Sequence, residues 1–112
     1  MSLFFTDSEI SGLQPRLVEL LNLARGIAHT PFVITSGFRT PEHNMEIGGA
    51  SNSAHLRGLA VDLRVTDSNT RFKIVSALLE IGFRRIVVYA SDGHLHVDCD
   101  PTLPQDVFVV KP

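Results

Sequence analysis

Between Pro15 and Ala28 the apolar residues Leu17, Leu20, Leu21, Ala24, Ile27 and Ala28 recur at helical spacing, and Pro15 is tolerable in a first turn. The spacing predicts one amphipathic helix. The β-branched stretch "PFVITSGF" predicts a short strand ending at Gly37, and "TPEHNMEIGG" a proline-initiated helical turn stopped by Gly48 and Gly49.

After Gly58 the pattern changes to alternation. Leu59, Val61, Leu63 and Val65 are expected on one side of a strand, with Ala60, Asp62, Arg64 and Thr66 on the other. From 69 to 81, Phe72, Val75, Leu78, Leu79 and Ile81 return to helical intervals, with Ser68 or Asn69 as the expected N-cap and Gly82 as the stop. "RRIVVY" reads as a third strand. Beyond the turn "ASDG", "HLHVDCD" sets Leu95, Val97 and Cys99 against His94, His96 and Asp98, and "DVFVV" reads as a short edge strand.

Two strands with the same alternation predict an α+β fold: a small antiparallel sheet with helices on its aliphatic face. The opposite face would then collect Asp62, His94, His96 and Asp98. If the two strands are neighbours, Asp62 and His96 can face each other across the ~4.5–5.5 Å that separates opposed Cβ atoms.

Composition narrows the chemistry. A chain of 112 residues that is 44% hydrophobic fits one domain spanning 1–112, and a net charge of −2 argues against a nucleic-acid partner. The single cysteine, Cys99, excludes an intramolecular disulfide and a cysteine-rich zinc site, and its alternation with Leu95 and Val97 marks it as a small core residue. Any metal must therefore be held by nitrogen and oxygen. "MSLFFTDSEI" lacks the basic start and apolar run of a signal peptide, and no segment approaches the ~20 apolar residues of a membrane span. The expected protein is soluble, without membrane insertion.

Attention falls on the histidines. His29 follows a helix and is read as a cap residue, and His43 sits in a polar helical turn. His55 lies in "SAHLRG", where Gly58 permits the tight path that folds the loop over the strand end towards Asp62 and His96. None of these residues is diagnostic alone, since a strand aspartate is more often a turn anchor and an isolated H-x-H is weak. Together, two histidines and one carboxylate leave one tetrahedral position open, as in a catalytic rather than a structural zinc site.

The run "SAHLRGLAVDL" resembles the S-x-H-x-x-G-x-A-x-D-[LI] signature of the zinc D-alanyl-D-alanine metallopeptidases, matching at Ser53, His55, Gly58, Ala60, Asp62 and Leu63. This family includes cell-wall carboxypeptidases, vancomycin-resistance dipeptidases and phage endolysins, and shares the hedgehog/DD-peptidase fold. "HLHVD" looks like its final H-x-H motif and "ITSGFRTPEHN" like its S-G-[FY]-R segment.

The resemblance implies zinc ligands His55, Asp62 and His96, with Arg39 binding substrate or the oxyanion. Ser53 is expected in the substrate pocket, and Gly48, Gly49 and Asn52 in a turn-rich wall beside it. Relatives commonly carry an acidic general base three positions before the last zinc histidine. Here that position is Gly93, with Asp92 before it, so Asp92, His94 or Asp98 could take the proton. The implied function is Zn2+-dependent hydrolysis of an amide in a peptidoglycan stem peptide, beside a D-amino acid. Its expected setting is phage or prophage lysis, with holin-type release from the cytoplasm, or a virion. The alternative is an inactive zinc-bearing binding or structural module, as in the hedgehog signalling domain.

Overall fold

The computed structural model describes residues 3–112; residues 1 and 2, which open the segment read for an export signal, lie outside them. The order is α1 (Pro15–Ala28), β1 (Ile34–Ser36), α2 (Pro41–Glu46), a 3-10 turn (Ala54–Arg57), β2 (Ala60–Arg64), α3 (Ser68–Ile81), β3 (Arg85–Tyr89), β4 (His94–Asp98) and β5 (Val107–Lys111). Among the described residues, no helix is long and apolar enough to cross a membrane.

Helix α1 starts with Pro15, buries Leu17, Leu21, Ala24 and Ala28, and ends at His29, whose left-handed φ of 55° turns the chain out of the helix. Helix α3 departs from expectation at two points. Its N-cap is Asp67 rather than Ser68 or Asn69: the Asp67 carboxylate accepts the Thr70 N–H at 2.9 Å from an extended backbone, which leaves Ser68 inside the first turn. Its buried stripe is Ile74, Ala77 and Leu78, while Phe72 and Leu79 face solvent. Ile81 and Val75 flank the stripe, so the helix is rotated from the orientation its largest side chain implies.

The strands form one sheet in the order β1-β2-β4-β3-β5. The first three pairings are antiparallel and the last, β3 with β5, is parallel, which makes the sheet mixed at one edge. Chain direction explains the edge. Strand β4 ends at Asp98, beside the start of β3, and the link 99–106 brings β5 in next to that same end, with Val107 opposite Arg85.

The core lies between the two long helices and one sheet face, where Val61, Leu63, Leu95, Val97, Ile86 and Val88 are buried. Pairing of Asp62 with His96, and of Val87 with His96, makes the other face a mirror of that arrangement. Asp62, His94, His96, Asp98, Arg85, Val87 and Tyr89 all project there. The sheet thus separates an aliphatic side that holds the fold from a polar side free for chemistry.

Candidate metal centre

His55 is placed by the 3-10 turn that precedes β2. Ser53 caps this turn by accepting the His55 N–H at 3.2 Å, and Gly58 ends it with φ of 70°. The Gly58 carbonyl accepts the Gln14 N–H at 2.9 Å, and a Cβ at this position would lie 2.4 Å from the Gly12 carbonyl oxygen. Only glycine meets both requirements, so the loop docks closely and His55 is buried at 2% exposure. Arg57 fastens the far side of the turn through Asp100, with Nε 2.5 Å from Oδ2, and the Asn52 carbonyl at 2.8 Å.

Both histidine rings are oriented by groups that accept hydrogen bonds. His55 Nδ1 lies 2.7 Å from the Gly37 carbonyl oxygen, and His96 Nε2 lies 2.7 Å from Asp98 Oδ2. Each of those nitrogens is accordingly the donor, so in the neutral imidazoles the lone pairs sit on His55 Nε2 and His96 Nδ1. These two atoms each lie 3.2 Å from Asp62 Oδ1. The ligand atoms of His55, Asp62 and His96 fall within 4.8 Å of one another.

Electrostatics follow from this convergence. Burial opposes ionisation of Asp62, but when the two rings are protonated the hydrogen bonds and charge of His55 and His96 outweigh it and hold the carboxyl well below the usual range. Burial likewise opposes an imidazolium at His96, yet Asp62 and Asp98 together raise its pKa above the ordinary histidine value. Two imidazoles with rings fixed from behind and one carboxylate form a donor set suited to a divalent ion such as zinc, with one position left for water or substrate.

Arg39 supports Asp62 from the side of β1. Its three nitrogens donate to Ser36 Oγ at 3.1 Å, Asn44 Oδ1 at 3.3 Å and Asp62 Oδ2 at 3.3 Å. Ser36 reaches this position through a bulge. Ile34 pairs with Leu63 and Ser36 with Asp62, so β1 spends one extra residue and Ser36 turns from the core side to the metal side. Buried Asn44 also donates to the Ala50 carbonyl at 3.0 Å, which ties the 47–53 loop to Arg39.

A cavity of about 310 Å³ opens over the three ligands. Arg39 and Ser53 line it with Gly49 and Asn52, whereas Gly48 does not. Asp92 and His94 border an adjoining hollow with Thr35 and Arg64, and Asp62 is common to both spaces. His94 stacks on Tyr89 with ring centroids 4.6 Å apart and an interplanar angle of 17°, and Tyr89 lines the main cavity. Asp98 is buried behind His96. His29 caps α1, His43 lies 4.0 Å from Glu46 on α2, and Cys99 packs half-buried against the core, where burial pushes its thiol pKa up.

Sequence reasoning missed Arg85, Tyr89 and Asn44. Arg85 and Tyr89 alternate with buried Ile86 and Val88, a signal that acquires meaning once β3 is known to pair with β4. Asn44 gave none, because its burial depends on the loop that folds over it.

Three comparisons bear on this geometry. Residues 5–98 match the family model described as Peptidase M15. No curated protein matches the sequence significantly. The fold matches the crystal structure of Serratia marcescens L-Ala D-Glu endopeptidase ChiX with a TM-score of 0.61 at 20% identity, covering 89% of each chain. With nearly the whole structured core inside the matched region, the chain belongs to the M15 peptidases, the zinc D-alanyl-D-alanine metallopeptidase family that its residues 53–63 resemble.

Proposed function

We propose that the protein is a zinc-dependent peptidase that hydrolyses an amide bond of a peptidoglycan stem peptide next to a D-amino acid. The observation that carries this reading is the convergence of His55 Nε2, Asp62 Oδ1 and His96 Nδ1, with each histidine ring fixed from behind by an acceptor. A zinc ion held by these residues would supply Lewis acidity and a water whose pKa falls towards ~7.

The chain's own residues do the rest. Asp98 and the Gly37 carbonyl keep the ring nitrogens in the tautomers that present lone pairs to the metal side. Arg39 steadies the second oxygen of Asp62, and its remaining N–H groups are available to an oxyanion or substrate carbonyl in the same cavity. We assign proton transfer to His94 ahead of Asp92. Both border the adjoining hollow rather than the main cavity, but His94 shares the metal-side face of β4 with His96 and stacks on Tyr89, which lines the main cavity, while Asp92 stands in the preceding turn. A neutral His94 imidazole would accept a proton at its free nitrogen and return it to the leaving amine as the C–N bond breaks.

ChiX is named as an L-Ala D-Glu endopeptidase, which makes that bond the first to test here. For the biological setting we propose phage or prophage lysis, on the likeness of the signature to phage endolysins; expression with and without a holin, followed by culture turbidity, tests it. A second reading, a zinc-bearing binding module, is favoured by Gly93 standing where relatives carry an acidic base and by Asp92 lying outside the main cavity. Incubation with purified peptidoglycan, with chelator and after zinc return, separates the two by mass analysis of released fragments. Zinc-dependent release supports the peptidase; zinc binding without release supports the module.

A further inference from the structure

Arg85 is the cation in the cavity that the ligand geometry leaves underused. It sits on β3 and projects to the metal side with Val87 and Tyr89. Its side chain is 23% exposed, and its Nε lies 3.0 Å from Asp98 Oδ2. That Nε nevertheless makes no aligned hydrogen bond, and Asp98 Oδ2 is the oxygen that His96 Nε2 meets at 2.7 Å. One terminal nitrogen donates to the Pro104 carbonyl at 3.1 Å, and the other has no protein acceptor among the described residues.

Arg39 presents the opposite case. All three of its nitrogens are engaged, one of them on a metal-ligating carboxylate. Its orientation is fixed by what it supports. The charges of Asp62 and Asp98 are matched by those of Arg39 and Arg85, so a divalent ion would leave the cavity net cationic. A cavity with that balance and a guanidinium with an uncommitted edge favours an anionic group, and a planar fork of donors matches a carboxylate.

Building on the peptidase reading, we propose that Arg85 determines specificity by binding a substrate carboxylate close to the scissile amide. Arg85 is two strands across from Asp62 and two residues along β3 from Val87, the residue level with it, which is about 12 Å at the backbone for ~4.8 Å per strand and ~3.3 Å per residue; with the reach of its side chain, the carboxylate lies about one residue from the reacting carbonyl. In a stem peptide this chemistry has two sources: the α-carboxylate of a γ-linked D-glutamate, or the carboxylate of the terminal D-amino acid.

The test uses the full-length zinc-loaded protein and four synthetic stem peptides in which each of the two carboxylates is free or amidated. Binding is measured calorimetrically with wild type, Arg85→Gln and Arg85→Lys, and turnover is followed separately. Amidating one of the two positions should weaken binding to wild type by about 10- to 100-fold, as expected for a lost charge-assisted pair. Arg85→Gln should bind the free and amidated forms of that peptide equally. Arg85→Lys, which keeps a cation beside Asp98 but loses the fork, should retain part of the preference and serves if the glutamine variant does not fold. The position whose amidation matters identifies the source. Equal binding of all four peptides by wild type, or an Arg85→Gln variant that weakens free and amidated forms by the same factor, would overturn the proposal and leave Arg85 as a partner of Asp98. Absence of turnover with the binding preference intact would instead refute the peptidase reading.

Discussion

Replacing Gly58 by alanine tests the link between the signature segment and the fold, and Gly48 provides a matched control. Both glycines have similar backbone angles, φ of 70° and 72°. A Cβ at Gly48 meets nothing within 4 Å, whereas one at Gly58 would lie 2.4 Å from the Gly12 carbonyl oxygen. The left-handed conformation costs an alanine roughly 1–2 kcal/mol at either site. At Gly58 the overlap must also be relieved by moving the 12–14 segment, which strains the Gln14 N–H bond to the Gly58 carbonyl, worth about 1 kcal/mol, and loosens the contact around it. Gly48→Ala should thus destabilise by about 1–2 kcal/mol and Gly58→Ala by roughly 2–4 kcal/mol, or about 4–8 °C against 8–16 °C in Tm for a chain of this size. Urea unfolding followed by circular dichroism measures both, with the slope checked for a common unfolded state. Equal losses in the two variants would show that the close approach at Gly58 is not what holds the His55 loop.

Asp98→Asn keeps the volume behind His96 but removes the charge facing Arg85 and the ring, so zinc affinity measured by chelator competition should fall about 10- to 100-fold; a folded variant with wild-type affinity would refute the orienting role. His94→Gln should cut turnover on stem peptides by roughly 100-fold or more with zinc binding intact, and Asp92→Asn by much less; the reverse order would move the proton acceptor to Asp92. Burial alone would raise the Asp100 pKa, but hydrogen bonds from Thr102 and Arg57 outweigh it and hold the carboxyl below its usual range. The unfolded chain then takes up this proton at higher pH than the native one, so the contribution is present above about pH 4 and is lost as pH falls through the lower native value. Asp100→Asn should flatten the acid limb of stability measured by urea unfolding between pH 5 and 3, and an unchanged limb would contradict the assignment.

The parts of the fold that could be read from the sequence are those governed by one periodicity at a time. Helix α1 keeps the bounds its apolar spacing predicts and buries Leu17, Leu21, Ala24 and Ala28, though Ile27 faces solvent, and the alternation after Gly58 and after Gly93 correctly divides β2 and β4 into a core side and a polar side. Helix α3 was found, but its rotation was not. Phe72 and Leu79 score as core by hydrophobicity, while the surface actually covered by α1 and the sheet selects Ile74, Ala77 and Leu78. The parallel placement of β5 likewise depends on where β4 ends, which no local window contains.

The same distinction explains the site. Asp62 and His96 were visible because period-two alternation fixes their face and a single antiparallel register sets them opposite each other, and His55 because Gly58 lets the preceding turn fold back towards them. A slip of one residue would have sent His96 into the core, so the pairing is enforced by Leu95 and Val97 on the other side as much as by the metal side. Ser36 escapes this logic because the bulge in β1 reverses its face, and Arg85 escapes it because its role exists only through a third strand. The proton acceptor is the hardest case. Asp92 stands in a tight turn closed by the Gly93 N–H to the Ala90 carbonyl at 3.3 Å and His94 on the strand that follows, and both border the adjoining hollow, so spacing along the chain does not choose between them. The three candidate ligands are therefore fixed by one sheet register and by the turn that docks ahead of β2, whereas the residues around them, Ser36 at the β1 bulge and Arg85 on a third strand, depend on pairings that no single segment contains.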